Sequence, residues 1–428
     1  MYEEEEEEEE PVTPAGRLFL QQDMNQVINC AVGLKQPIDV EAIKAEIKNS
    51  IMIQHPRFCS VLVRDNKDLS VSSPLKTDKP LWEFHVLRNQ KCVVLRIHHA
   101  LGDGISLMSL ILAVCRKIDH PDQLPTIPSS SSSSPSTRNH RTISSICEKV
   151  LKLMMVAWFS LVYATELMLR ILWVKDSKTG ISGGSGVELW PRKLATARFK
   201  LDDMKSVKMA IDNATINDVL FGVISSGLSR YLDHHSESKP PEGLRITGFA
   251  MVNIRKQPGL QDLSKLMKNK SVSSWWGNQF GFVLLPIYHH KNVDDDPLQY
   301  VKRAKSMLDK KKLSLEAHFS YRIGALIMSL LGPKVAALLN YRILCNTSFT
   351  ISNVVGPQEE IMFAGNPITS FRVNSTSLPH ALTMHMVSYA GKAEMQILVA
   401  KDIIPDPQYL AKCFEDALLE MKDAAMKN

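Results

Sequence analysis

The feature that most constrains this chain is an apolar run that ends at a pair of closely spaced glycines. Cys92 to His98 (CVVLRIH) is apolar at nearly every position, as a strand buried on both faces would be. It leads into His98 to Gly104 (HHALGDG), where Gly102 and Gly104 flank Asp103 and permit a tight turn. Ile105 to Ile118 then reads as an apolar-faced helix. Strand, turn and helix in that order demand layers of mixed type. The remaining elements do not alternate strictly, so the expected class is α/β with mixed sheets.

Those elements are readable in places. Asp39 is a candidate N-cap for a helix whose Val40, Ile43, Ile47 and Ile51 share one face, ending at His55-Pro56. Residues 60–63 and Trp82 to Leu87 read as strands. Thr215 to Leu232 reads as a helix with a capping box from Thr215 to Asp218 and a buried face of Val219, Leu220, Val223, Ile224 and Leu228. Strand-like runs follow at Ile246 to Val252, Phe280 to Ile287, Ser348 to Val354, His385 to Ala390 and Glu394 to Val399. A last helix starts at Asp406-Pro407. The Ser/Pro-rich segment 128–138 reads as a linker. The division expected is an acidic tail over 1–10, a first half over 11–127, linker and apolar helix over 128–190, and a second half over 191–428.

Charge and cysteine content narrow the partners. Residues 3–10 are eight consecutive glutamates, and without them the net charge of +6 becomes +14. A basic body suits an anionic membrane surface or a phosphate-bearing ligand. No stretch interleaves basic and aromatic residues as a strand-binding groove would, so nucleic acid is not expected. The seven cysteines are scattered and include no Cys-x-x-Cys, so neither a disulfide framework nor a metal site is indicated. Reduced thiols and the acidic N-terminus argue against a cleaved secretory signal. Val150 to Val174 is the most apolar stretch. Its longest uncharged run, Leu153 to Thr165, is 13 residues, short of the roughly 18–20 that cross a bilayer. A soluble core helix and an interfacial or re-entrant membrane helix both fit, and a single pass is open if Glu166 and Arg170 are counted within the span. Trp158, Tyr163 and Trp173 favour the second.

Chemistry centres on His98 to Gly104. A histidine at a strand end, with an unperturbed pKa near 6.5, suits a general base. The adjacent pair, His98 and His99, would point to opposite faces of a strand and could not easily chelate one ion. Asp103 could orient the loop through an arginine, since a buried carboxylate without a cation is costly.

HHALGDG matches the HHxxxDG signature of the coenzyme A-dependent acyltransferase superfamily. Further landmarks resemble plant wax ester synthase/diacylglycerol acyltransferases. They are Glu10 to Leu18 (EPVTPAGRL), His55 to Phe58, Lys79 to Glu83 (KPLWE), Asn217 to Leu220 (NDVL), Val252 to Arg255 (VNIR), Trp276 to Gly281 (WGNQFG), Ser352 to Pro357 (SNVVGP) and Ser388 to Lys392 (SYAGK). The resemblance implies two chloramphenicol acetyltransferase-like halves facing across a substrate tunnel. It makes His99, beside His98 and Gly104, the general base and Asp103 structural, with Arg255 its candidate partner. Asn217 becomes a candidate oxyanion donor, with first-turn capping as the alternative. Ser352, Asn353, Gly356, Pro357 and Trp276 become candidate substrate-binding residues. The implied reaction joins acyl-CoA, as co-substrate, to a long-chain alcohol or diacylglycerol without a further cofactor. The implied location is the endoplasmic reticulum membrane or the cell membrane, with the catalytic halves facing the cytosol. One departure stands out: Arg64 to Asp78 spans with few residues a segment that is longer in the family. A catalytically impaired, membrane-associated lipid-binding homologue is therefore the alternative function. A soluble acyltransferase with a small polar acceptor fits less well, given the apolar stretch and the absence of a DFGWG motif.

Overall fold

The computed structural model describes residues 12–54, 58, 79–127, 144–235, 240–255, 276–290, 296–376 and 378–427. The strand expected at 60–63 and the short segment 64–78 lie outside the described residues, as does the linker.

Two six-stranded sheets organise the chain. The first has the order β2 (Trp82–Leu87), β3 (Cys92–His98), β1 (Val27–Leu34), β10 (Asn366–Ser375), β9 (Ile361–Phe363), β4 (Cys115–Lys117). The second has the order β5 (Arg192–Lys200), β12 (Lys392–Ala400), β11 (Leu382–Tyr389), β8 (Phe349–Val355), β6 (Arg245–Asn253), β7 (Phe280–Tyr288). Within the second, β8 lies parallel to both β11 and β6, and the other pairs are antiparallel. The class is α/β; the second sheet is mixed, and the described pairs of the first are all antiparallel.

The two sheets do not divide the chain at one point. β10 pairs antiparallel with β1 from Ile28–Ser375 to Leu34–Ile368, so residues 361–375 return to the first sheet. The half expected over 191–428 is therefore not closed on itself. β10 then hands the chain directly to β11, which ties the sheets together.

Each sheet buries its own apolar layer. Ile97, Leu110 and Leu112 are at most 1% exposed in the first core, and Ile224, Phe349 and Phe414 are sealed in the second. The helix after the His turn is shorter than expected. It covers Gly104–Ala113, because Cys115–Lys117 leaves the helix to pair with β9 at the sheet edge. Asp39 caps the helix Val40–Lys48 by accepting from the amides of Glu41 and Ala42, and the helix breaks before Ile51. Thr215 and Asp218 cap the helix Ile216–His235 reciprocally. Of the pair His289-His290, readable as a surface pair, His289 is fully buried against Asp233.

Two long apolar helices lie side by side. Ser144–Leu172 contains the apolar stretch, and Glu316–Cys345 was not anticipated. Both are long and apolar enough to cross a membrane, yet their most apolar windows are only 6% and 11% buried. Leu153, Trp158, Leu161, Leu330 and Leu331 all stand exposed. The first helix is anchored at its C-terminal end, where buried Arg170 pairs with Asp176 at 2.7 Å and donates to Thr247 and Asn346. The second breaks at Gly332, whose φ of 81° is left-handed, just before Pro333. Each of its two pieces is shorter than the roughly 20 residues of a span.

Candidate active site

β3 delivers the His turn to the space between the sheets. His98 ends the strand, His99–Leu101 forms one tight turn, and Asp103 starts the next helix by accepting from the Ser106 amide at 3.0 Å. Gly102 is extended rather than left-handed. Its glycine character answers to space, since a Cβ there would lie 2.9 Å from Ser106 Cβ.

The two histidines separate by their hydrogen bonds. His98 Nδ1 accepts from the Ala100 amide, so its Nε2 carries the hydrogen and donates to Asn25 Oδ1 at 2.8 Å. Both its nitrogens are engaged, so of the adjacent pair His98 is the one held by the protein. His99 turns the other way and lines a cavity of about 140 Å³ between the sheets. Asn278 fixes its tautomer. The Asn278 amide nitrogen donates to the carbonyls of His99 and Ala100, so its Oδ1 must accept from His99 Nδ1, 3.1 Å away. The Nε2 lone pair is left for the cavity. Burial pushes the His99 pKa below the ordinary 6.5, against smaller upward pulls from its own backbone, Asp103 and Asn278. The ring is therefore neutral at physiological pH.

The N-terminal segment backs this turn. Thr13 caps the helix Pro14–Phe19 and accepts from the Asn278 amide. A Cβ on Gly16 would lie 2.8 Å from the Ala100 carbonyl, so only glycine allows that approach. Phe19 stacks on the His99 ring with centroids 3.9 Å apart.

Asp103 is held from every side. Its Oδ2 accepts from Arg255 Nη1 at 2.7 Å and from the Gln279 amide at 2.8 Å. Arg255 also donates to Ser106 Oγ and the Gly277 carbonyl. The pair is almost fully buried, so it locks the turn at a place where neither charge could stand alone.

The cavity wall brings together Gly104, Ser352, Asn353 and Phe280 with His99 and Asp103. The other expected residues fall elsewhere. Asn217 is exposed and meets the wall only through Asn353, whose amide donates to its Oδ1 at 2.9 Å, so it positions Asn353 rather than facing the cavity. Trp276 is fully buried in the first core, edge-on to Phe58, and is not among the residues that line the cavity beside His99. Gly356 and Pro357 are buried in the turn after β8. A Cβ on Gly356 would lie 2.3 Å from the Ser388 carbonyl, and the Pro357 carbonyl accepts from Ala390, so both serve close packing of β8 on β11.

Three wall or support residues escaped the sequence reading. Asn278 sits 179 positions from His99, with only its place in WGNQFG as a signal. Cys30 lines the cavity, but burial pushes its thiol up to about 12, which leaves no thiolate to act as a nucleophile. His385 also lines the cavity. Its Nε2 lies 3.2 Å from Ser375 Oγ and its Nδ1 has no partner. Burial, with His99 nearby, holds its pKa at about 4, and no carboxylate among the described residues orients it. That pair lacks the third member a serine nucleophile needs.

Comparison with known proteins places this arrangement. The wax ester synthase/diacylglycerol acyltransferase catalytic domain matches residues 69–220 and the corresponding C-terminal domain matches 276–422. Wax ester synthase/diacylglycerol acyltransferase 5 of Arabidopsis thaliana is 35% identical over 96% of this chain and 93% of its own length. The chain belongs to the wax ester synthase/diacylglycerol acyltransferase family. Its relative numbered 4 in the same plant is also 35% identical, over 99% of this chain and 92% of the relative. The family's fold recurs in the wax ester synthase/diacylglycerol acyltransferase from Marinobacter aquaeolei VT8, with a TM-score of 0.56, 17% identity and coverage of 98% and 100%. A trichothecene 15-O-acetyltransferase from Fusarium sporotrichioides matches with a TM-score of 0.53, 13% identity and coverage of 97% and 94%. Family membership makes this chain an acyltransferase built on the two-halved acyltransferase fold.

Proposed function

We propose that this acyltransferase joins a long-chain fatty alcohol, or the free hydroxyl of diacylglycerol, to the acyl group of acyl-CoA, with His99 as general base. The observation that carries the reading is the buried, neutral His99 whose Nδ1 is held by Asn278 while Nε2 is left to a mostly apolar cavity. The names of its relatives support both products, a wax ester and a triacylglycerol.

The steps follow from that geometry. His99 Nε2 takes the hydroxyl proton as the oxygen attacks the thioester carbonyl. The carbonyl π pair moves onto oxygen, giving a tetrahedral oxyanion. Ser352 and Asn353 are the hydroxyl and amide donors of the wall suited to it. The oxyanion collapses, the C–S bond breaks, and the imidazolium returns its proton to the departing thiolate. Ester and coenzyme A thiol result. No acyl-enzyme, metal or further cofactor enters the balance. The inert Cys30 thiol and the unsupported Ser375–His385 pair favour direct transfer. Asp103 and Arg255 hold the turn.

Both substrates are lipids, and the exposed apolar helices Ser144–Leu172 and Glu316–Cys345 supply a surface for them. We assign these helices to the interface of a cytosol-facing membrane, the endoplasmic reticulum or the cell membrane. The broken second helix and the anchored end of the first favour lying on the bilayer over spanning it.

Membranes carrying the full chain, given labelled palmitoyl-CoA with hexadecanol or diacylglycerol, test the reading beside His99→Ala. Ester that disappears in the variant supports it, and the product ratio identifies the acceptor. Acyl-CoA binding without ester would favour the lipid-binding homologue instead.

A further inference from the structure

We propose that an apolar pocket between the helices Pro14–Phe19 and Glu316–Cys345 binds the hydrocarbon chain of the hydroxyl acceptor and admits it from the lipid side. The inference rests on the acyltransferase reading and adds the acceptor's binding site to it.

The pocket adjoins the catalytic cavity. Phe280 borders both spaces, and its ring centroid lies 6.1 Å from those of His99 and Phe19. One aromatic ring thus separates the pocket from the base. A chain lying in the pocket would bring its terminal hydroxyl past Phe280 to His99.

The wall suits an alkyl chain. Leu18, Phe282 and Met328 line it, and no charged side chain does. Of its three polar residues, Ser320 Oγ bonds the backbone of Phe282, Asn340 donates to the Ala336 carbonyl, and Tyr321 adds a neutral phenol. Such a wall excludes the charged headgroup of the acyl donor. It admits a chain that carries a single hydroxyl. The exposed apolar face of the same helix favours the acceptor, which arrives with no charged headgroup, over the acyl chain of the donor.

Gly324 is the second observation. Glycine is the poorest helix former after proline, and here it faces the pocket, where an added Cβ would meet nothing within 4 Å. Neither close packing nor a left-handed backbone requires it. What its missing side chain provides is room. Leu326, Leu330 and Leu331 of the same helix are exposed, so the lipid phase and the pocket would be separated by a single helix.

Gly324→Leu fills the pocket without backbone strain. Ester synthesis by membranes carrying the full chain is measured with palmitoyl-CoA and either hexanol or hexadecanol. The expected result is a KM for hexadecanol that rises roughly tenfold for every two methylenes excluded, with the hexanol rate and the KM for palmitoyl-CoA unchanged. A rise in the KM for palmitoyl-CoA, or an unaltered preference between the alcohols, overturns the proposal. A second measurement does not depend on the variant. A diazirine-bearing long-chain alcohol should label wild-type peptides from 316–345, in competition with hexadecanol, and labelling confined to β8 and β11 overturns it. Should wild type make no ester with either alcohol, the acyltransferase reading fails, and the labelling alone decides the pocket.

Discussion

The His turn and the paired long helices treat exposure in opposite ways. In the turn, charged and polar groups are buried, and the protein answers them: Asp103 with Arg255, Gln279 and Ser106, His98 with Asn25, His99 with Asn278. Along the helices, large apolar side chains stand exposed and the described residues do not cover them. Burial without exception marks a site whose geometry must not move, because a buried polar group left unpaired is costly. Exposed apolar area on this scale marks a surface that something else completes, and the occupant we propose for it is a lipid. On the proposed reading, the reacting hydroxyl passes from the second environment to the first.

The comparison breaks most sharply at His99. His99→Ala should lower ester synthesis by about 10²–10⁴-fold while the thermal transition stays near wild type. Next comes the ion pair. Arg255→Met strands Asp103 and should cost about 3–5 kcal/mol of stability, read from denaturant unfolding. If stability is unchanged, the turn does not depend on its buried partners. Asn278→Leu removes the group that holds the tautomer. It should lower kcat by roughly 10–100-fold, with less effect on the KM for acyl-CoA. On the lipid side, Trp158→Ala with Leu161→Ala should weaken binding to anionic vesicles by up to about tenfold, at roughly 25 cal/mol per Å² of apolar area withdrawn, and leave turnover of hexanol alone. Binding that does not change would remove this helix from the membrane contact.

A smaller effect concerns pH. Burial holds the folded pKa of His385 at about 4 and that of His380 at about 3, both below the ordinary 6.5. The unfolded chain then binds the extra protons. The stability these groups permit is present above pH 6.5 and is lost as pH falls toward 3. Unfolding midpoints across that window check the sign.

Much of the site was legible because it is local. The apolar run of β3, the glycines around Asp103 and the N-caps at Asp39 and Thr215 are written within a few residues of one another. What was not legible is long-range or irregular. β10 mixes polar and apolar positions because its two faces are unequally buried, and its partner β1 lies some 340 positions away, as the Asn29–Asn374 pairing shows. The helix Glu316–Cys345 hides behind Gly332-Pro333, which reads as a break. Asn278 carries no signal beyond its place in WGNQFG, since its role exists only once the chain before β7 meets the turn. Trp276, a candidate substrate-binding residue, is an aromatic beside a buried strand, which is more often core, and core is where it lies.

The central claim is that a neutral His99, its Nδ1 held by Asn278, takes the acceptor's proton. The most direct test is the pH dependence of kcat/KM for ester synthesis in membranes carrying the full chain, beside Asn278→Leu. The account predicts a plateau at neutral pH, a fall on the acid side with its midpoint below 6.5, and a displaced midpoint in the variant. A midpoint above 6.5, or one that Asn278→Leu leaves in place while activity persists, would contradict it.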